Sequence, residues 1–265
     1  NFTLDGGANG MKYYVSFGYK TEDAIYKASS TKYKQYNVRA KMEMPINDWL
    51  KTNVDMAGFL NDKLYPYKSA DAIVGQSTRL VPTNWAYWPK EGRYPGPDIE
   101  YGDNPVETST LSAGTNDQKT YRFQSTFGAT ITVPFIKGLT LNGTYSYDLT
   151  HYYNKAFYQP WILYTADFDN ATRNSEGFVT DAPMIPNTRG LSTPENAERY
   201  DRTINKTTMV NANYVKSFGD HNISLFGGYE QYQSDWNYFR GYRKYYISTA
   251  IKTMNAGNSK DQTLE

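Results

Sequence analysis

Apolar and polar residues alternate one by one along several stretches of this chain. In the clearest stretch one side carries Tyr36, Val38, Ala40, Met42 and Met44, and the other side carries Gln35, Asn37, Arg39, Lys41 and Glu43. A period of two is typical of a β-strand with one apolar face. The same alternation recurs at residues 50–60, 121–133 and 139–149, and more weakly at 13–19, 210–214 and 223–229. The pattern therefore predicts seven strands of roughly 9 to 13 residues, near the length that a tilted strand needs to cross a bilayer.

The connections between these predicted strands alternate between short and long. Short ones lie at 45–49, 134–138 and 219–220, whereas long ones follow residues 19, 60 and 149. Outer-membrane barrels have short periplasmic turns and long extracellular loops, but a soluble sandwich has no reason to sort its loops by end. Aromatic residues near the strand ends fit interfacial girdles: Tyr13, Tyr33, Tyr36, Trp49, Tyr121, Tyr145, Tyr147 and Tyr214. The sequence thus predicts an all-β, antiparallel transmembrane β-barrel.

The strand count predicts that this barrel is only partly represented. Seven is odd, whereas single-chain bacterial barrels have even counts, and residues 261–265 lack the pattern of a closing strand. Open sheet edges are costly in lipid because their backbone groups have no water to bind. We therefore expect the strands to need neighbours from a longer chain.

Composition removes several other classes of protein. Although 26 tyrosines bring the aromatic share to 16%, mean hydropathy is −0.73 and no apolar run approaches the ~20 residues of a membrane-spanning helix. Lys and Arg (28) balance Asp and Glu (27), so the charge pattern of a nucleic-acid-binding protein is missing. Without cysteine there is no disulfide or thiolate site. The two histidines, His151 and His221, have no paired nucleophile or base in their spacing, so we expect no enzyme, no metal site and no cofactor.

Several motifs resemble the SusC/RagA-like TonB-linked outer-membrane proteins, a family of TonB-dependent transporters. Residues 13–19 and 37–40 are similar to the family's early barrel strands, and 138–148 is similar to a later hairpin strand. The further matches follow in the family's order: an Asn-Pro pair at 104–105, and a second hairpin at 218–224 that continues to 227–230. The similarity spans nearly the whole chain, with a position in the first half of the barrel.

The resemblance implies a function that the strand pattern cannot supply. It implies that residues 1–265 are part of a TonB-dependent receptor barrel of about 22 strands, without its plug domain, in the outer membrane of a Gram-negative bacterium. It also implies active import of oligosaccharides, or of oligopeptides in RagA-like members. The implied partners are a SusD-like surface lipoprotein that closes like a lid, outer-membrane lipid, and TonB acting through the absent plug. Nucleic acid is not among them.

Exposed aromatic side chains of the long loops are the predicted substrate contacts. Trp and Tyr can stack on sugar rings or peptide side chains, and Arg93 and Asp98 could add hydrogen bonds. The alternative is that these aromatic residues pack a small core within the loops, or contact the lid protein. The predicted substrate-binding residues are Trp85, Tyr87, Trp88, Arg93, Tyr94 and Trp161.

Charged residues of the polar strand faces are expected to line the lumen or hold the plug: Arg39, Lys41, Glu43, Asp55, Arg122 and Asp148. Two other functions remain open at this point. One is a diffusive porin-type barrel without TonB coupling. The other is a soluble all-β adhesin or glycan-binding module, in which the Tyr36–Met42 face would pack on a second sheet.

Overall fold

The computed structural model describes residues 1–26, 31–80, 85–88, 93–96 and 103–264. These residues contain thirteen strands and two α-helices. The strands are β1 (Phe2–Ala8), β2 (Met11–Asp23), β3 (Lys32–Pro45), β4 (Leu50–Pro66), β5 (Gly114–Thr132), β6 (Leu139–Tyr158), β7 (Trp161–Ala166), β8 (Thr172–Arg173), β9 (Val179–Asp181), β10 (Met184–Arg189), β11 (Glu195–Phe218), β12 (His221–Lys244) and β13 (Thr263–Leu264). The helices are α1 (Ala70–Arg79) and α2 (Pro105–Thr108), and a 3-10 turn covers Met254–Ala256.

Nine of the strands form one antiparallel sheet in the order β1-β2-β3-β4-β5-β6-β11-β12-β13. All seven predicted strands are present, which confirms the antiparallel all-β class. The predicted count was too low, because β1 and β13 also join the sheet. Within the described residues β1 and β13 do not pair with each other, so the sheet is an open wall and not a closed barrel.

The strands are longer than the alternation predicted. Both β11 and β12 have 24 residues. That is more than twice the roughly ten residues that a tilted strand needs to cross a bilayer. The alternation covers only part of each of these strands, so the pattern missed the segments nearest the long connections.

The strand register places the alternating residues on two common faces. Val38 pairs with Gly58, Gly58 with Phe123, and Phe123 with Leu149, so the apolar sets of four strands share one side, here called the outer face. Val38 remains 51% exposed on that face. So much open apolar surface implies contact with lipid or with another protein.

The opposite side, here called the inner face, is polar and hydrogen-bonded across strands. Thr130 donates its hydroxyl proton to the Asn142 side chain at 2.9 Å, and the Asn142 amide donates to Asn211 at 2.9 Å. Arg39 and Asp55 form a bidentate ion pair with distances of 2.9 and 2.5 Å. The predicted segregation of polar residues to one side is therefore confirmed, whereas their role toward a plug stays a prediction.

The connections sort by end of the sheet, as predicted. At one end the turns are tight: Asn9 and Gly10 both have positive φ (52° and 80°), the geometry of a type I′ hairpin turn. At the other end, connections of many residues follow β2, β4, β6 and β12. The connections after β4 and β6 contain the two helices and the small strands β7–β10, which the sequence did not predict. No helix among the described residues is long and apolar enough to span a membrane.

Candidate ligand-binding site

The connections after β4 and β6 fold against each other into one assembly, here called the loop unit. Strand β7 pairs with β10, and residues 93–96 run beside β7 through a parallel bridge between Pro95 and Tyr164. Ala113, Trp161 and Leu163 form its buried core, with Tyr67 and Tyr94 packed against them. The loop unit is therefore an ordered structure with its own small core. Packing of aromatic residues into such a core was the alternative to ligand contact that the sequence left open.

One buried asparagine ties the segments of the loop unit together. The side chain of Asn104 is 1% exposed. Its amide donates to the backbone carbonyls of Ala86 (3.1 Å) and Pro95 (3.3 Å). Its oxygen accepts from the backbone N–H groups of Val106 (2.9 Å) and Glu107 (3.3 Å), which caps α2. A single side chain thus joins three stretches of the connection.

A polar network fixes α1 to the same assembly. Asp103 accepts a hydrogen bond from Gln76 at 2.9 Å and pairs with Lys68 at 3.1 Å. Thr108 donates to Gln76 at 3.2 Å. The ammonium group of Lys68 also lies 5.8 Å from the ring centroid of Trp161, within cation–π distance. The helix is held by polar contacts together with its buried Ile73.

Four of the predicted contact residues lie together in the loop unit, and two of them are at its surface. Trp85 and Tyr87 are 57% and 54% exposed. Trp88 stacks beside Trp85 with a centroid distance of 6.4 Å, and its indole N–H donates to the carbonyl of Tyr164 at 3.0 Å. The guanidinium of Arg93 lies 4.8 Å from the Tyr164 ring centroid. Trp88 and Arg93 therefore position the exposed Trp85, which has the free surface that a ligand would need.

Two other predicted contacts point into the core. Trp161 is 4% exposed and Tyr94 packs against the same cluster. The structure does not support Trp161 as a contact residue, because a buried indole cannot reach a ligand. Burial, together with the nearby carboxyl of Glu107, raises the pKa of the Tyr94 phenol. The sequence could not separate these residues from Trp85, since all of them lie in loops of similar composition. Asp98 lies outside the described residues.

A cavity of about 300 Å³ opens beneath α1 at the inner face of the sheet. Tyr65 on β4 and Asn116 on β5 are paired across the strands and both line it. Tyr67, Lys68 and Ile73 form the side toward the loop unit. A concave site with aromatic walls and a few polar groups is the usual form of a small-ligand site. Sequence reasoning missed it, because α1 and its position over the sheet were not predicted.

The loop unit also contains a buried carboxyl group. Glu107 is nearly buried, and its desolvation raises the pKa of its carboxyl. No group of three or more acidic or histidine side chains suited to a metal occurs in the described part of the chain. His151 lies on the outer face, where its Nδ1 shares a hydrogen bond with the Tyr200 hydroxyl. The arrangement offers aromatic surfaces and paired charges to a ligand.

Comparison with known proteins bears on the fold. No protein-family model and no curated protein matches the chain by sequence. A structure of the RagAB peptide transporter matches 99% of this chain with a TM-score of 0.69 at 18% identity. Structures of the RagAB peptide importer in the "closed-closed" and "open-open" states match the same share, with TM-scores of 0.65 and 0.69 at 18% and 17% identity. The chain has the fold of these RagAB chains.

The resemblance to SusC/RagA-like proteins is therefore confirmed at the level of the fold. The chain spans 27% to 28% of the length of the RagAB chains that it matches.

Proposed function

We propose that residues 1–265 are part of the barrel domain of a SusC-like, TonB-dependent importer in the outer membrane of a Gram-negative bacterium. The single observation that carries this proposal is the nine-stranded wall with one apolar and one polar face, whose fold matches RagAB chains over 99% of its residues. TonB coupling would act through a plug domain supplied by the longer protein. Nucleic acid has no place in this function.

We propose an oligosaccharide as the cargo, with an oligopeptide as the second candidate. The exposed ring of Trp85, which stacks beside the half-buried Trp88 at an interplanar angle of 27°, suits either ligand. The second candidate is favoured by the printed description of the RagAB proteins as peptide transporters. We further propose that a SusD-like surface lipoprotein covers the loop unit, since Trp85 and Tyr87 form an apolar patch at its surface.

A soluble adhesin fits the structure less well than a transporter does. That alternative requires a second sheet against the Tyr36–Met42 face, but Val38 and Met42 on this face are exposed to 51% and 39%. A diffusive porin shares the wall and its two faces, so its distinction from an importer rests on the plug and on energy coupling.

The decisive experiment is to isolate the full-length protein from native outer membranes in mild detergent and to identify copurifying proteins by mass spectrometry. We expect a chain near 100 kDa, estimated from the ~22-stranded barrel plus plug of the resembled family, together with a SusD-like lipoprotein. Uptake that disappears when TonB is deleted would support the importer. A protein that is soluble without detergent and has no partner would overturn the proposal, and TonB-independent uptake would favour the porin.

The loop aromatic residues can be tested in the same cells. We expect Trp85→Ala and Trp88→Ala to weaken uptake without lowering the amount of folded barrel. Unchanged uptake in both variants would show that these residues do not contact the cargo.

A further inference from the structure

A groove crosses the outer face of the sheet at Gly58. The register places Gly58 between Val38 on β3 and Phe123 on β5. Because glycine has no side chain, the apolar row is interrupted there, and a cavity of about 310 Å³ lies over it. Strands β2 to β6 all have partners on both sides, so the groove does not arise from a free sheet edge.

The lining of this groove suits a hydrocarbon chain. Apolar side chains of the outer face form most of it: Phe17, Val38, Leu60, Phe123 and Leu149. Tyr36, Tyr121 and His151 lie along its edge toward the long connections. Four strand spacings of ~4.8 Å separate β2 from β6, so the groove is roughly 19 Å long. An apolar trough of this length can hold one acyl chain, whereas it offers few partners to a ligand rich in hydroxyl or amide groups.

Two cations lie beside the end of the groove. Leu149, which lines the groove, is opposite Ile204 on β11. Arg202 and Lys206 lie two residues to either side of Ile204, so their side chains share its face. Arg202 is exposed and Lys206 is half-buried. In the part of the chain that the structure describes, neither of them has an ion-pair partner. At these positions β11 pairs with both β6 and β12, so the two cations belong to the interior of the sheet.

The acidic groups of the outer face do not cancel these two charges. Asp235, opposite Ile204 on β12, is the nearest carboxylate in the register, and it accepts a hydrogen bond from Gln233 at 3.2 Å. The other carboxylates above the groove have cations of their own beside them. These are Glu198 with Lys155 (3.1 Å), Asp117 with Lys119 (3.7 Å), and Asp62 and Asp23, which are opposite Lys34 and Lys32. The patch of Arg202 and Lys206 therefore stays positive.

The depths of the groove and of the cations match the two ends of a lipid. In a wall whose strands tilt by about 40°, each residue adds ~2.5 Å of height. Gly58 is 8 residues beyond Leu50, the first residue of β4, and Lys206 is 12 residues before Phe218, the last residue of β11. The groove is then roughly 20 Å above the tight turns and Lys206 roughly 30 Å above them. Because the apolar band of such a wall is about 25 Å tall, the groove lies within the band and the cations lie at its border.

This combination selects an anionic amphiphile as the ligand. A cation on the lipid face of a barrel is costly at mid-depth, and the cost falls near the interface, where the side chain can reach polar head groups. Basic residues at a membrane border bind anionic head groups, and a guanidinium group matches two oxygens of a phosphate. We propose that the groove over Gly58 holds an acyl chain of a phosphate-bearing lipid, whose phosphate binds Arg202 and Lys206.

This inference rests on the proposed location in the outer membrane, and it is independent of TonB and of the cargo. Full-length protein in detergent would be titrated with lipid A, with dephosphorylated lipid A and with inorganic phosphate, and bound ligand would be counted by native mass spectrometry. The variants are Arg202→Gln, Lys206→Gln and Gly58→Ala. One control is Lys12→Gln, which removes a cation from the inner face, where Lys12 is opposite Glu43. The other is Gly143→Ala, which adds a methyl group to the outer face with no atom within 4 Å of it.

We expect lipid A to bind, and expect each charge variant to weaken that binding about fivefold and the double variant about 25-fold. Gly58→Ala should weaken it about fourfold, because the new methyl group displaces about one methylene of the chain. Both controls should bind lipid A as the unmodified protein does.

Equal binding of lipid A and its dephosphorylated form would overturn the site, as would undiminished affinity in the Arg202→Gln, Lys206→Gln double variant. Inorganic phosphate that displaces lipid A would show an anion site without a lipid, and a doubled mass that excludes lipid A would assign the groove to a second copy of the chain. In all of these cases TonB-dependent uptake would persist. Uptake that does not need TonB would reject the import function and leave the lipid site intact.

Discussion

Replacing Asn104 by alanine should open the loop unit while leaving the nine-stranded sheet folded. The substitution removes four hydrogen bonds at a side chain that is 1% exposed. Loss of a helix N-cap costs ~1 kcal/mol, and each buried group left without a partner adds about 1 kcal/mol. The loop unit would then lose about 3 kcal/mol, which corresponds to a rise of roughly 100-fold in its opening equilibrium.

Hydrogen–deuterium exchange on the full-length protein in detergent measures this opening directly. Amides of β7 and of residues 103–113 should exchange about 100-fold faster in Asn104→Ala, whereas amides of β5 and β6 should be unchanged. Asn104→Ser keeps an oxygen that can cap α2 but loses both bonds that the amide donates, so its effect should be intermediate. Asn170→Ala, which removes an exposed loop amide bonded to Asp167, is the matched control. Exchange rates in Asn104→Ala equal to those of the control would refute the assignment of Asn104 as the tie between these segments.

Three further predictions concern the same unit. Trp161→Ala should destabilise the loop unit by about 3–5 kcal/mol, because it leaves a cavity in the core. Trp85→Ala should leave the protease resistance of the loop unit unchanged. Equal resistance of the two variants would contradict the difference in burial. Gly190→Ala should also destabilise the loop unit, because a Cβ there would lie 2.0 Å from the Trp161 ring and the φ of +81° disfavours alanine. Tryptophan fluorescence that matches the unmodified protein would argue against this packing. The raised pKa of Glu107 means that the folded unit binds the proton more tightly than the unfolded one, so its stability should fall as pH rises above the ordinary carboxyl value of 4.5. Exchange experiments that raise the pH stepwise from 4.5 should show this fall, and Glu107→Gln should abolish it. A slope that persists in the variant would assign it to another group.

The strand pattern by itself determined the wall of this protein. Period-two alternation at residues such as Tyr36, Val38 and Met42 located the strands, because one apolar and one polar face of a sheet impose opposite demands on successive residues. The alternation of short and long connections determined which end of the sheet has tight turns and which end has long loops. Both are local properties, so a single sequence is sufficient to reveal them.

Only the tertiary structure decided which side chains are available to a ligand. Trp161 and Trp85 are the same residue type in loops of similar composition, yet Trp161 is buried and Trp85 is exposed. The difference comes from the pairing of β7 with β10 and from the hydrogen bonds of Asn104, and both join residues that are far apart in the chain. The cavity beneath α1 escaped notice for a related reason. It requires Tyr65 and Asn116 to lie opposite each other and α1 to lie over them, and only the pairing of β4 with β5 and the contacts of the loop unit bring this about.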